Sequence, residues 1–232
     1  MSIQMPIVPP APTVRARLPL RGIALTLGAA AFAAGDLGRR LVLPDDQVTG
    51  IPDMVARVEA HSGLWLALGL AVVLGSLAMM PGILAVLRRA DPPTEEDSAS
   101  TRAGRARATI RVGGCLVLVG LVASVAHALA FYGMAAIDGT SGAPLGAVEA
   151  MENASNTYPL FVLVIIGFIV GMTLGPIVLT WGLRRAGAVP IWVPVAALVF
   201  AVTGTVGGAV AGVVGLVAAV ATFGMIGRAL TR

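Results

Sequence analysis

Lysine is absent from this chain, cysteine occurs once and histidine twice, and charged residues make up only 12% of the 232 positions. Each shortage removes a class of protein. One thiol, Cys115, can form neither an intrachain disulfide nor a cysteine-based metal set. A charge content near half the roughly 25% of a soluble domain leaves too little polar surface to cover a water-soluble globule. No phosphate-binding loop, dinucleotide fingerprint, paired zinc-ligand helix or nucleophile elbow occurs, so an energy-coupled ATPase subunit is not expected. The reading is of a non-enzyme with no cofactor and no bound metal.

What is abundant is apolar: 57% of residues are hydrophobic and 29 are glycine. A helix rises 1.5 Å per residue, so about 20 apolar residues cross a hydrocarbon core of roughly 30 Å. Runs of that length lie near 20–43, 64–87, 112–136 and 159–183. The charge-free stretch from Pro190 to Gly227 would extend about 57 Å as one helix, so it has to break. The paired glycines of "TGTVGG", 203–208, favour that point and divide the run into 188–205 and 207–227. The expectation is one all-α membrane domain over 1–232, a bundle of about six transmembrane helices with a cytoplasmic loop at 88–111 and outer loops at 44–63 and 137–158.

The 16 basic residues, all arginine, orient this bundle. With both termini in the cytoplasm, 13 arginines fall inside, and only Arg39, Arg40 and Arg57 fall outside, the bias expected for inner segments. The sequence pI near 10.5 therefore reports orientation rather than nucleic-acid binding, which would need a soluble basic face or stacking aromatics. Arg102, Arg105, Arg107 and Arg111 serve the same end within a polar cytoplasmic loop. The composition, rich in Ala, Gly, Val and Arg, suits a GC-rich bacterial source and an inner (cell) membrane location. The segment through Ala31-Phe32-Ala33 also fits a cleavable signal peptide over residues 1–33. Retention is expected, because "LVLP" prolongs the apolar stretch beyond Asp36, Arg39 and Arg40, which pair locally at i, i+3 and i+4.

Two small-residue stripes suit close helix packing: Gly167, Gly171 and Gly175, and Gly204, Gly208 and Gly212, each at intervals of four. They serve internal packing or a seam with a second copy or a membrane partner. Pro81 and Pro176 should kink their spans.

His127 is the ionisable residue deepest in an apolar run. It lies 16 residues beyond Arg111, about 24 Å up the helix, on a face shared with Gly113, Gly120 and Ser124. Intramembrane ionisable groups are functional suspects, and Thr173, Asp36 or a carbonyl freed by a kink could meet the ring. His61, with Asp53 and Arg57, reads as a solvated outer face, and its height above His127 rules against a shared haem. In "PLGAVEAMENASNTY", Glu149, Glu152, Asn153 and Asn156 make the polar face of a short helix lying on the membrane. With Asp36 and Asp138 they join an outer side of eight acidic residues against three arginines, which favours cations or amines. Candidate ligand-binding residues are thus His127, Asp36, Asp138, Glu149, Glu152, Asn153 and Asn156.

The segments "LGAAAFAAGDLGRRLVLP", "EAHSGLWLALGLAVVLGSLAMMPGILAVLRR" and "WGLRRAGAVPIWVPVAALVFAVTG" together resemble an uncharacterised bacterial family of multi-span membrane proteins of unknown function. The resemblance covers most of the chain and implies topology but no substrate. The function expected from the residues is the binding or transport of a small cationic or polar molecule in a lipid bilayer, with no nucleic-acid partner. The alternative is an accessory or assembly subunit of a membrane complex that docks through its glycine-rich helix faces.

Overall fold

A computed structural model describes residues 17–44, 50–90, 102–141 and 144–231, and these are all-α, with no strand among them. Eight helices follow one another: α1 (Arg17–Val42), α2 (Ile51–Ala60), α3 (Ser62–Arg89), α4 (Arg102–Ser141), α5 (Leu145–Thr157), α6 (Pro159–Arg185), α7 (Trp192–Thr205) and α8 (Ala209–Thr231). Five of them, α1, α3, α4, α6 and α8, are long and apolar enough to cross a membrane, the mark of a multi-pass membrane protein.

The break in the charge-free run lies at Val206–Gly208. Val206 leaves the helix in an extended conformation, and Gly208 takes φ +88°, which a side chain would disfavour. The preceding helix is shorter than the 188–205 segment. It begins at Trp192 and has 14 residues, about 21 Å, less than a hydrocarbon core. The lost turn goes to the connection after α6, where Gly187 at φ +74° and the bond from Ala188 N–H to Leu183 O close the helix.

Three further differences from the sequence reading concern the loops. Part of the 88–111 segment is helix, because α4 begins at Arg102 and its Ala106 and Ile110 are buried; residues 91–101 lie outside the described residues. The other end of α4 runs on to Ser141, into the expected outer loop. At 40 residues it is about 60 Å long, so both ends project beyond the core. Finally, α2 is a separate helix, parted from α3 at His61.

The six apolar helices close a ring. α1 packs on α3 and α8, α3 on α4, α4 on α6, α6 on α7 and α7 on α8. The short helices α2 and α5 cap one end, α2 against α4 and α5 against α6. Glycines set how closely the ring helices approach. A Cβ on Gly120 of α4 would stand 2.7 Å from the Gly171 backbone of α6, and one on Gly75 of α3 would stand 2.6 Å from Gly28 O of α1. In a solvent as apolar as the side chains, dispersion gained by such backbone contact is what holds helices together.

The pairs α1–α3 and α4–α6 repeat one plan. Each is a helix, a connection carrying a short helix, and a returning helix with an internal proline (Pro81, Pro176) and the ending Leu-Arg-Arg-Ala, at 87–90 and 183–186. The α7–α8 hairpin completes the ring between α6 and α1.

Candidate functional site

All six ring helices contribute to one cavity of about 450 Å³. α1 supplies Phe32, Asp36, Arg39 and Arg40, and α4 supplies Ser124, His127, Phe131 and Tyr132. α6 adds Phe168, Met172 and Thr173, and the hairpin adds Phe200, Thr203, Gly204 and Gly212. Most of this wall is apolar or aromatic, with the charged groups confined to the α1 side.

The charged edge follows from local spacing. Asp36, Arg39 and Arg40 stand at i, i+3 and i+4, one face of α1. Arg39 Nε and Nη2 both donate to Asp36 Oδ1, at 3.3 and 3.1 Å, and Arg40 Nε donates to Asp36 Oδ2 at 2.8 Å. Arg40 then does more than the sequence suggests. Its side chain is 4% exposed, and its two terminal nitrogens donate to Thr203 O at 3.0 Å and to Val206 O, the carbonyls left open where α7 ends. The guanidinium that balances Asp36 therefore also locks the hairpin to α1. Arg39 is 30% exposed, and its Nη1 has no partner among the described residues. Among the described residues of the lining, two guanidinium groups stand against one carboxylate, one excess positive charge.

Opposite this edge, His127 is held by rings. It stacks on Phe168 at 5.2 Å between centroids and on Phe131 at 5.9 Å. Neither Thr173 nor Asp36 hydrogen-bonds it; Thr173 Oγ1 donates to Ile169 O at 2.6 Å, and Asp36 is taken by the arginines. Its neighbour on the helix face, Ser124, is buried and meets Ser76 of α3 at 3.0 Å. Tyr132 ties three helices: its hydroxyl donates to Gly35 O of α1 at 3.3 Å, and its carbonyl accepts the indole N–H of the fully buried Trp65 of α3 at 3.0 Å.

A smaller cavity of about 110 Å³ lies under α2 and α5, lined by Met54, Val148, Glu152 and Ser155. His127 and Phe131 line both spaces, so this pair forms the partition between them.

The sequence-derived candidates are thereby sorted. Asp36 and His127 face the large cavity, and Glu152 joins His127 at the small one. Glu149 and Asn153 are exposed and line neither. The side chains of Asp138 and Asn156 lie outside the described residues. No group of three or more metal-ligating side chains occurs among the described residues. Of the glycines, Gly171 and Gly175 press on α4, and Gly167 makes ordinary contact with Ala123. Gly204, Gly208 and Gly212 do not form one helix face, because Gly208 is the turn; Gly212 packs on Leu37 and Arg40, and nothing stands near Gly204. Arg39 and Arg40, which spacing paired with Asp36 without naming them as ligand candidates, and Tyr132, which it did not bring forward, also line the chamber. The available signal was two arginines inside a span, which elsewhere mark an internal site.

Helical ring and cavity together define a multi-pass α-helical membrane protein with an internal chamber near one face. No family model, curated protein or solved structure matches the chain.

Proposed function

We propose that this protein binds a small polar or amphipathic molecule in the chamber enclosed by its six ring helices, and that this is its function in a bacterial inner membrane. The observation that carries the reading is the chamber itself. A volume of about 450 Å³ falls in the roughly 300–1,000 Å³ range of small-molecule sites, and an apolar wall with a few placed polar groups is their usual make-up. Repeated helical units with a chamber between them are also how many carriers are built, so transport is the natural extension of binding. Membership of the bacterial family that the apolar pattern resembles belongs to the same proposal.

The rival reading, an assembly subunit docking through glycine faces, has less to stand on. Gly171, Gly175 and Gly212 are already engaged within the chain, which leaves a docking partner fewer of the stripe glycines to use.

The test uses the full chain in phosphatidylcholine nanodiscs with octanol, an uncharged amphiphile, as probe. Octanol raises the unfolding midpoint of the native chain. Occupancy at a hundredfold excess over Kd corresponds to about 2.7 kcal/mol. Ala201→Phe, which places a ring in the chamber from α7, removes the response, and so does His127→Ala, which merges the two cavities. Octanol stabilisation undiminished in Ala201→Phe would refute binding in the chamber. Loss of folded protein in His127→Ala equal to its loss of response would make that histidine purely structural.

A further inference from the structure

Resting on that reading, we infer that the ligand is an amphipathic acid, a single negative head on an apolar body, which enters sideways between α6 and the tip of the α7–α8 hairpin, with Arg39 taking its head group. The charge of the lining selects the head. Asp36 balances one guanidinium, and each of the three nitrogens of Arg40 already donates, to Asp36 or to the carbonyls of Thr203 and Val206. Arg39 spends two donors on a single carboxylate oxygen and faces the chamber with Nη1 unused. A planar guanidinium with spare donors beside a low-dielectric wall is built to accept a carboxylate or phosphate oxygen, and the excess positive charge disfavours an ammonium. Phe131, Phe168, Met172 and Phe200 offer the apolar body its surface. Among the described residues that line the chamber, Asp36 is the one carboxylate, and both arginines already pair with it.

The route in is lateral. Ile169 of α6, Gly204 of α7 and Thr205 at its end line the chamber and are themselves exposed, so the wall is open between these elements. A side chain added at Gly204 would meet nothing within 4 Å. The flanking surface is apolar, with Ile166 and Val202 about half exposed, so in a bilayer the opening faces acyl chains. An amphiphile dissolved in the leaflet reaches it tail first without crossing the acidic aqueous face. The same chemistry, a negative head on an apolar body, is shared by a free single-chain acid and by an anionic phospholipid.

The experiment compares three eight-carbon probes, octanoate, octanol and octylammonium, on the full chain in phosphatidylcholine nanodiscs at neutral pH, read by thermal unfolding. Octanoate should act at a concentration at least tenfold below that of octanol, and octylammonium should not stabilise. Arg39→Gln should abolish the advantage of octanoate while leaving the octanol response, which certifies an intact chamber; Arg39→Lys should restore part of it. Gly204→Phe should slow octanoate uptake several-fold without lowering the unfolding midpoint. Octylammonium equal to octanoate, or an advantage of octanoate that survives in Arg39→Gln, would overturn the acid while the chamber stood. Uptake as fast in Gly204→Phe would overturn the lateral route. Silence from all three probes, octanol included, would instead sink the chamber reading on which the inference rests. Phosphatidylglycerol mixed into the nanodiscs separates the two sources: competition with octanoate identifies a lipid ligand, and its lack a free acid.

Discussion

Arg40 shows how one side chain can serve charge balance and architecture together. In a membrane interior an isolated guanidinium is costly, yet this one is 4% exposed. Its donors meet a carboxylate on its own helix and two carbonyls at the end of α7. Those carbonyls would otherwise be unsatisfied, since Val206 turns away from the helix before their partners could form. Replacing Arg40 by Gln removes charge from a buried pair and frees the hairpin tip at once. The expected loss is about 3 kcal/mol, toward the lower end for broken buried pairs because Asp36 retains Arg39 and some exposure. SDS titration of the protein in mixed micelles would measure it. The same titration on Arg39→Gln should show a smaller loss, because Arg39 makes no hydrogen bond or ion pair outside α1 among the described residues.

For the helices, the deciding variable is how near two backbones come. The chain spends its glycines unevenly. At Gly171 an added methyl group would run into the Gly120 and Leu116 backbone of α4, whereas at Gly133 of α4 it would meet nothing within 4 Å. Gly171→Ala should therefore force α4 and α6 apart and cost about 1–3 kcal/mol by overpacking. Gly133→Ala should be neutral or stabilising by up to roughly 1 kcal/mol from helix propensity. The same contrast separates packing from flexibility as the role of these glycines. A flexibility requirement would make both substitutions harmful, and unfolding midpoints in detergent would tell.

Across the whole molecule, the ring depends on α7 being short. With 14 residues, α7 ends level with Arg40 and lets the hairpin tip sit against α1 rather than project beyond it. The inner stretches of the ring are closed by backbone contact, as between Gly22 of α1 and Gly227 of α8, where a Cβ would stand 2.6 Å from the facing carbonyl oxygen. The chamber thus has its access near the α2–α5 end and the hairpin tip. From the arginine distribution we propose that this end lies outside and both termini in the cytoplasm. Reporter fusions at the two termini should both be active only as cytoplasmic markers; an exterior carboxyl terminus would reverse the hairpin and move the lateral opening to the other leaflet.

Much of this was legible from residue order alone, because lipid imposes a simple rule: backbone polar groups must be satisfied within each segment, so long apolar runs become helices and runs twice too long must turn. That rule, applied to length, charge-free stretches and "TGTVGG", determined the all-α class and a break in the last run, which the structure narrows to 206–208. Local spacing likewise determined the Asp36–Arg39–Arg40 pairing, which needs only one helix. Three things waited on the tertiary structure. His127 turned out to stack on rings, with no hydrogen-bond partner among the described residues, because Phe168 comes from another helix. The 204–208–212 glycine stripe dissolved, because a turn at Gly208 breaks the period that spacing assumed. The grouping of Asp36, Arg39 and Arg40 with His127 around one chamber also waited, since which residues share a chamber depends on how six helices close around it. Spacing along a chain constrains a single helix; only packing between helices decides which of their faces meet, and the chamber exists only there.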